Sequence, residues 1–145
     1  MAFESLNQRL IRLPRGVKRA LALTFDALLC ALTVWLAWCL RLEHWVPLNV
    51  VASPATMGAW LIGLPVFWYF GLYASIFRHA GWNAMLALGK AVAVYGALYA
   101  LTFTVISVHG VPRSVGIIQP LLMFVGLGLS RLVTRLWLGD LYREL

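Results

Sequence analysis

The sequence predicts an all-α, polytopic membrane protein with four transmembrane helices and both termini cytoplasmic. Three observations carry this reading. Hydrophobic residues make up 62% of the 145 and charged residues only 12%, against roughly 45–50% and about 25% in soluble domains. Stretches near twenty residues with almost no charge recur four times along the chain. The basic residues crowd into the segments that lie on one side of those stretches. The composition excludes a soluble globular enzyme, a disordered tail and a fibrous protein, because too little polar surface remains to cover a core in water.

The N-terminal segment, 1–16, places Phe3, Leu6, Leu10 and Leu13 at helical spacing, with Glu4, Asn7, Gln8 and Arg12 between them. This pattern predicts a short amphipathic helix on the inner leaflet, ended by Pro14. A four-helix transmembrane domain follows over 17–138. Its first span, about 18–42, contains the apolar run Ala20–Leu40, interrupted only by Asp26. That run is too long for a signal peptide, and no small-x-small cleavage site follows it. The second span, about 55–74, begins after Pro47, Asn49 and Pro54, and Gly63 with Pro65 predicts a bend in it. The third covers about 84–108, with Lys90 in its first turns. The fourth covers about 114–137, with Arg131 near its inner end, where its long side chain snorkels or pairs. Within hydrocarbon an unsatisfied backbone group costs several kcal/mol, so these spans must be helices; no two-residue alternation supports a barrel. Residues 139–145 read as the start of a linker. Leu138, Leu141 and Leu145 share a helical face that is cut off in its course.

The formal charge of +7 invites a nucleic-acid reading. Placement argues otherwise. Arg9, Arg12, Arg15, Lys18 and Arg19 precede the first span; Arg78 and Lys90 lie between the second and third; Arg131, Arg135 and Arg143 end the fourth. Only Arg41 and Arg113 fall on the opposite side. The positive-inside rule puts both termini in the cytoplasm, and the charge is an orientation signal with no nucleic-acid partner.

Asp26 is the sharpest candidate for chemistry, since a carboxylate within a span often marks a proton or substrate path. It lies at an inner depth similar to that of Lys90 and Arg131. One acid with two bases in reach reads better as a structural clasp. Trp38, Trp45 and Trp60 are expected at the outer interface and Trp68, Trp82 and Trp137 nearer the inner one, as aromatic belts. Gly126-x-Gly128 with Ser130 and Thr134 forms a small face suited to close helix packing and to a homo-oligomer. Cys30 and Cys39, nine residues apart on a helix, are ~13 Å apart in rise and too distant for a disulfide. His44, His79 and His109 fall on loops of opposite sides, which disfavours a metal site. No GxGxxG, P-loop, nucleophile elbow or carboxylate pair occurs.

The order of landmarks resembles the N-terminal membrane region of the membrane-bound nucleotide-sugar 4,6-dehydratases of bacterial polysaccharide biosynthesis. The likeness is carried by Leu13-Pro14-Arg15, Lys18-Arg19, Asp26, Arg41-Leu42, Phe70-Gly71-Leu72-Tyr73 and Arg78. It continues through Asn83-Ala84, Lys90-Ala91-Val92, Val111-Pro112-Arg113-Ser114, Arg131 with Arg135, and Gly139-Asp140-Leu141-Tyr142. Its best single piece is the loop motif Pro112, Arg113 and Ser114 with the two arginines. The resemblance implies a four-span anchor in the bacterial inner membrane. It implies cytoplasmic Rossmann-type domains beyond Leu145 that bind NAD(P) and a UDP-linked N-acetylhexosamine, making precursors for O-antigen, capsule or protein glycans in company with membrane proteins of polysaccharide assembly. Every catalytic and cofactor motif of that family lies past Leu145. No catalytic, cofactor-binding or metal residue is therefore carried over, and the chain alone is expected to be non-catalytic. Two other readings remain: the membrane region of a polyprenyl-phosphate sugar-1-phosphate transferase, and a small proton-coupled four-helix transporter using Asp26.

Overall fold

The computed structural model describes residues 8–9, 12–72 and 82–144, with side chains described to residue 136. The amphipathic pattern over 1–16 lies largely outside them, and the side chains of the leucines over 138–145 lie wholly outside them. Helices dominate, and no strand occurs among the described residues. We number them α1 (Arg15–Leu42), α2 (Pro54–Tyr69), α3 (Trp82–Ala100) and α4 (Val115–Glu144). A 3₁₀ turn over Leu48–Ala52 precedes α2, and a π-helical turn over Leu101–Val105 closes α3. Three helical segments are long and apolar enough to cross a membrane: Arg15–Leu42, Trp82–Val105 and Val115–Leu136.

Local chemistry sets the boundaries. Pro14 precedes α1 in an extended conformation, and its carbonyl accepts the amides of Val17 and Lys18. Arg41 sits in the last turn of α1, where a cation complements the negative end of the helix dipole. Glu43 then turns the chain away at φ 57, a left-handed conformation costly for a residue with a Cβ. The second helix ends sooner than the predicted span. It stops at Tyr69 because Gly71 takes φ +70, while the amides of Phe70 and Gly71 bond back to the carbonyls of Val66 and Trp68. At 16 residues α2 is ~24 Å long, short of the ~30 Å hydrocarbon core. The third helix ends at Val105, earlier than 108, with Ser107 at φ 54 redirecting the chain. The fourth runs well past the predicted span. Residues 139–144, expected to begin a linker, continue α4 as helix.

Neighbouring helices run antiparallel around a ring. Residues 33, 30, 29 and 26 of α1 meet residues 119, 123, 126 and 131 of α4. Gly96 and Tyr95 of α3 meet Pro120 and Gln119 of α4. On α2, Gly58 faces Phe103 and Gly63 faces Tyr95. Each helix turns one stripe inward at near four-residue spacing: Ala55, Ala59, Gly63 and Phe67 on α2; Tyr95, Tyr99 and Phe103 on α3; Val115, Gln119, Met123 and Leu127 on α4. The small α2 stripe receives the large α3 stripe, which permits close approach. The outward residues are the reverse of a soluble protein's. Leu21, Phe25, Leu28 and Leu32 on α1, Leu61 on α2, Leu98 on α3 and Leu121, Phe124, Val125 and Leu129 on α4 are all exposed. Asp26, Thr33, Thr56 and Gln119 are buried.

Candidate functional site: a buried polar seam

The polar interior begins at Asp26 on α1, eleven residues from the helix start and therefore ~17 Å along it. Its carboxylate is 1% exposed, and its Oδ2 accepts from Arg131 Nη2 of α4 at 3.3 Å; the arginine side chain is 20% exposed. Arg131 lies sixteen residues into α4, or ~24 Å from its start, so the antiparallel pair brings both charges to one level. Of the two bases offered by sequence, the structure joins Asp26 to Arg131. Lys90 is exposed on α3 and forms no ion pair among the described residues.

A second polar cluster lies about two turns further along α1. Tyr95 donates its hydroxyl to Gln119 Oε1 at 2.6 Å, and Gln119 Nε2 donates to Thr33 Oγ1 at 3.0 Å. Thr33 donates to the Cys30 carbonyl at 2.9 Å and lies 3.8 Å from Met123 Sδ; the Cys30 thiol approaches the same sulfur at 3.9 Å. Three helices are thus tied by one chain of hydrogen bonds. Such bonds avoid leaving a polar group alone in hydrocarbon, where it would be costly. Tyr99 adds a fourth link by donating to the Ala55 carbonyl of α2 at 3.1 Å. Around it stands an aromatic ladder: Phe67–Tyr95 at 5.5 Å, Tyr95–Tyr99 at 5.6 Å and Tyr99–Phe103 at 4.5 Å between centroids. These distances fall in the favourable range for aromatic pairs. Sequence reasoning missed both features. Gln119, an amide within an apolar span, and the i, i+4 recurrence of Tyr95, Tyr99 and Phe103 were the available signals.

The Pro112-Arg113-Ser114 motif starts α4. The carbonyl of Pro112 accepts from Val115, that of Arg113 from Gly116, and that of Ser114 from Ile117 and Ile118. Thr104 Oγ1 donates to the Arg113 carbonyl at 2.8 Å, fastening the end of α3 to this loop. The small face over Gly126 and Gly128 is divided. A Cβ on Gly126 would lie 3.2 Å from Leu29 of α1, so that glycine serves packing within the chain, whereas Gly128 opens onto free space. The tryptophan belt also needs a correction. Trp45 is exposed just past the C-terminal end of α1 and stacks on Trp35 at 5.6 Å. Trp60 instead donates to the Ala27 carbonyl at 2.9 Å, fifteen residues or ~22 Å of rise below Leu42. Trp60 therefore acts as a cross-link in mid-helix between α2 and α1. Both cysteines are free, and no cluster of metal-ligating side chains occurs among the described residues. His79 and the side chain of Trp137 lie outside those residues. No family model matches the chain, and neither does a curated protein or a solved structure.

Proposed function

We propose that the chain is a four-span membrane anchor with both termini cytoplasmic, and that its buried charge pair is structural. The observation that supports this best is the inverted distribution of polarity. Exposed leucine, phenylalanine and valine side chains ring the bundle, while inside it Asp26 meets Arg131 and, two turns away, Tyr95, Gln119 and Thr33 bond to one another. In water such a molecule would present an apolar surface far beyond the few hundred Å² usual for a monomer. In lipid those apolar side chains meet a solvent of their own polarity. In this reading α2, ~24 Å of helix, is the fourth span, and the bilayer thins locally or the flanking turns enter the interface to accommodate it.

The Asp26–Arg131 pair favours a clasp over a proton relay, because the acid already holds a base at 3.3 Å. On the resemblance set out above, the anchor holds a nucleotide-sugar 4,6-dehydratase at the bacterial inner membrane, with NAD(P) and the UDP-sugar bound by domains following α4. Several positions that carry the resemblance have structural work here: Asp26 and Arg131 pair, Gly71 ends α2, and Pro112 to Ser114 start α4. The reading frame past Leu145 tests the assignment. A glycine-rich strand-turn-helix fingerprint within the next few dozen residues is expected; a catalytic domain of another type would replace the assignment with the sugar-phosphate transferase reading. Proton-coupled uptake into vesicles that Asp26→Asn abolishes would overturn the anchor reading in favour of a transporter.

A further inference from the structure

Arg9, Arg12, Arg15, Lys18 and Arg19 put five cations into eleven residues directly before the first apolar run, and no acid lies between Glu4 and Asp26. Arg9, Arg12, Arg15 and Arg19 are exposed. Arg15 opens α1, which continues unbroken into the apolar run, so Arg15 and Arg19 stand on the span's own helix. At about 100° per residue both fall within ~20° of Asp26, and they lie ~17 and ~10 Å from it along the axis. Val17 and Leu21, exposed on the opposite side, extend the outward stripe of Leu28 and Leu32 toward the helix start. The first two turns of α1 therefore carry arginine on one side and apolar side chains on the other at a single depth. That composition suits the boundary where acyl chains give way to headgroups.

The bundle supplies little to neutralise these arginines. Among the described side chains the inner end holds one acid, Asp26, and it faces Arg131. Arg9, Arg12, Arg15 and Arg19 form no ion pair among the described residues. The outer end differs: its cations are Arg41 and Arg113, and Glu43 stands two residues from the first. Arg15 and Arg19, one turn apart on one helical face, repel each other. A phosphate between them relieves that repulsion, and two guanidinium forks match its oxygens. Resting on the membrane reading above, we propose that this basic segment binds the phosphate headgroups of anionic phospholipids of the inner leaflet. Arg15 and Arg19 hold one phosphate between them, and Arg9 and Arg12 add charge beside it. A soluble polyanion would engage the arginines alone, whereas a phospholipid also meets Val17 and Leu21 with its acyl chains.

The test uses the full chain in phosphatidylcholine vesicles holding a trace of spin-labelled phosphatidylglycerol, compared with phosphatidylcholine carrying the same label. The motionally restricted fraction of each label reads the lipid in contact with the protein. Both leaflets carry the probe, so orientation in the vesicle does not enter. A several-fold preference for the phosphatidylglycerol label is expected at low salt, falling toward unity in about 1 M salt, where charges are screened beyond ~3 Å. Arg15→Gln/Arg19→Gln removes most of that preference, while Arg41→Gln/Arg113→Gln, which takes the same charge from the outer end, leaves it intact. Should the double variant fail to fold, Arg15→Gln and Arg19→Gln serve singly, each lowering the preference by up to about fivefold. Equal association of the two labels overturns the proposal. So does a preference that the Arg15 and Arg19 variants leave untouched, or one that excess pyrophosphate or RNA at constant ionic strength abolishes. Alkaline extraction separates the two failures: a chain that washes out overturns the membrane reading itself, whereas a retained chain with no headgroup preference overturns only the lipid site.

Discussion

The α1/α4 seam and the α2/α3 seam hold the same bundle together by different means. Along the first, the contacts are chemical: Asp26 with Arg131, Gln119 with Thr33, and the sulfur contacts of Cys30 and Met123. Along the second they are largely matters of shape. Gly58 and Gly63 lie under Phe103 and Tyr95, and one hydroxyl, that of Tyr99, crosses to a backbone carbonyl. In a bilayer the lipid tails are as apolar as leucine, so burial of apolar surface does not draw helices together. Assembly is left to polar links and close packing, and the two seams lean on them in opposite proportion. The polar seam fixes register, since a shift of one turn would strand a charge. The shape seam fixes distance.

The largest effect is expected from breaking the charge pair on the polar seam. Arg131→Ala leaves Asp26 buried without its arginine and should cost about 3–5 kcal/mol in a reversible unfolding titration in mixed micelles. The double variant Asp26→Leu/Arg131→Met should recover most of that loss, because a well-packed apolar pair replaces the ion pair without an orphaned charge. A double variant as unstable as Arg131→Ala would show that the charges do more than hold the seam.

Next in size is the shape seam. A side chain at Gly58 would overlap the Phe103 ring, so Gly58→Val should cost about 1–3 kcal/mol in the same titration. The companion variant Gly58→Val/Phe103→Leu should recover part of it, as the smaller side chain makes room. A smaller effect, about 0.6 kcal/mol and at most ~1.7, is expected for Tyr95→Phe, which removes a single interhelical hydrogen bond to Gln119. A double-mutant cycle between Tyr95→Phe and Gln119→Met should return a coupling of that size. A coupling near zero would mean the ladder, not the hydrogen bond, holds Tyr95 in place.

The smallest effect separates two neighbouring glycines. Gly126→Ala presses on Leu29 and should destabilise measurably, whereas Gly128→Ala meets open space and should change stability by less than ~0.5 kcal/mol. Equal costs at both would place a second surface against Gly128 in the folded protein.

Much of this architecture is legible in the sequence, and the reasons differ by element. Helical spans are visible because an uncharged stretch near twenty residues has one stable conformation in lipid. The pairing of Asp26 with a base was open to reasoning because charge within a span demands a partner. Which base it takes depends on how α1 and α4 face each other, and no local pattern encodes that. The end of α2 at Tyr69 was hidden because Gly71 reads as apolar chain until its left-handed turn is seen. Trp60 reads as an interfacial tryptophan by composition, yet its indole reaches the Ala27 carbonyl of α1, a contact that only the packing of α2 on α1 creates. The Tyr95–Gln119–Thr33 link draws one residue from each of three helices, so its members are separated by dozens of positions and only the fold assembles them.

Four spans require α2, though only 16 residues long, to cross the membrane and return the chain to the side on which it began. Single cysteines placed at Gly16, His44, His109 and Arg135, in a chain with Cys30 and Cys39 replaced by alanine, test it with a membrane-impermeant maleimide on intact cells. Four spans predict labelling at positions 44 and 109 without permeabilisation, and at 16 and 135 only after it. Labelling of 44 and 109 from opposite sides would contradict the account, for it would mean that α2 enters the bilayer without crossing.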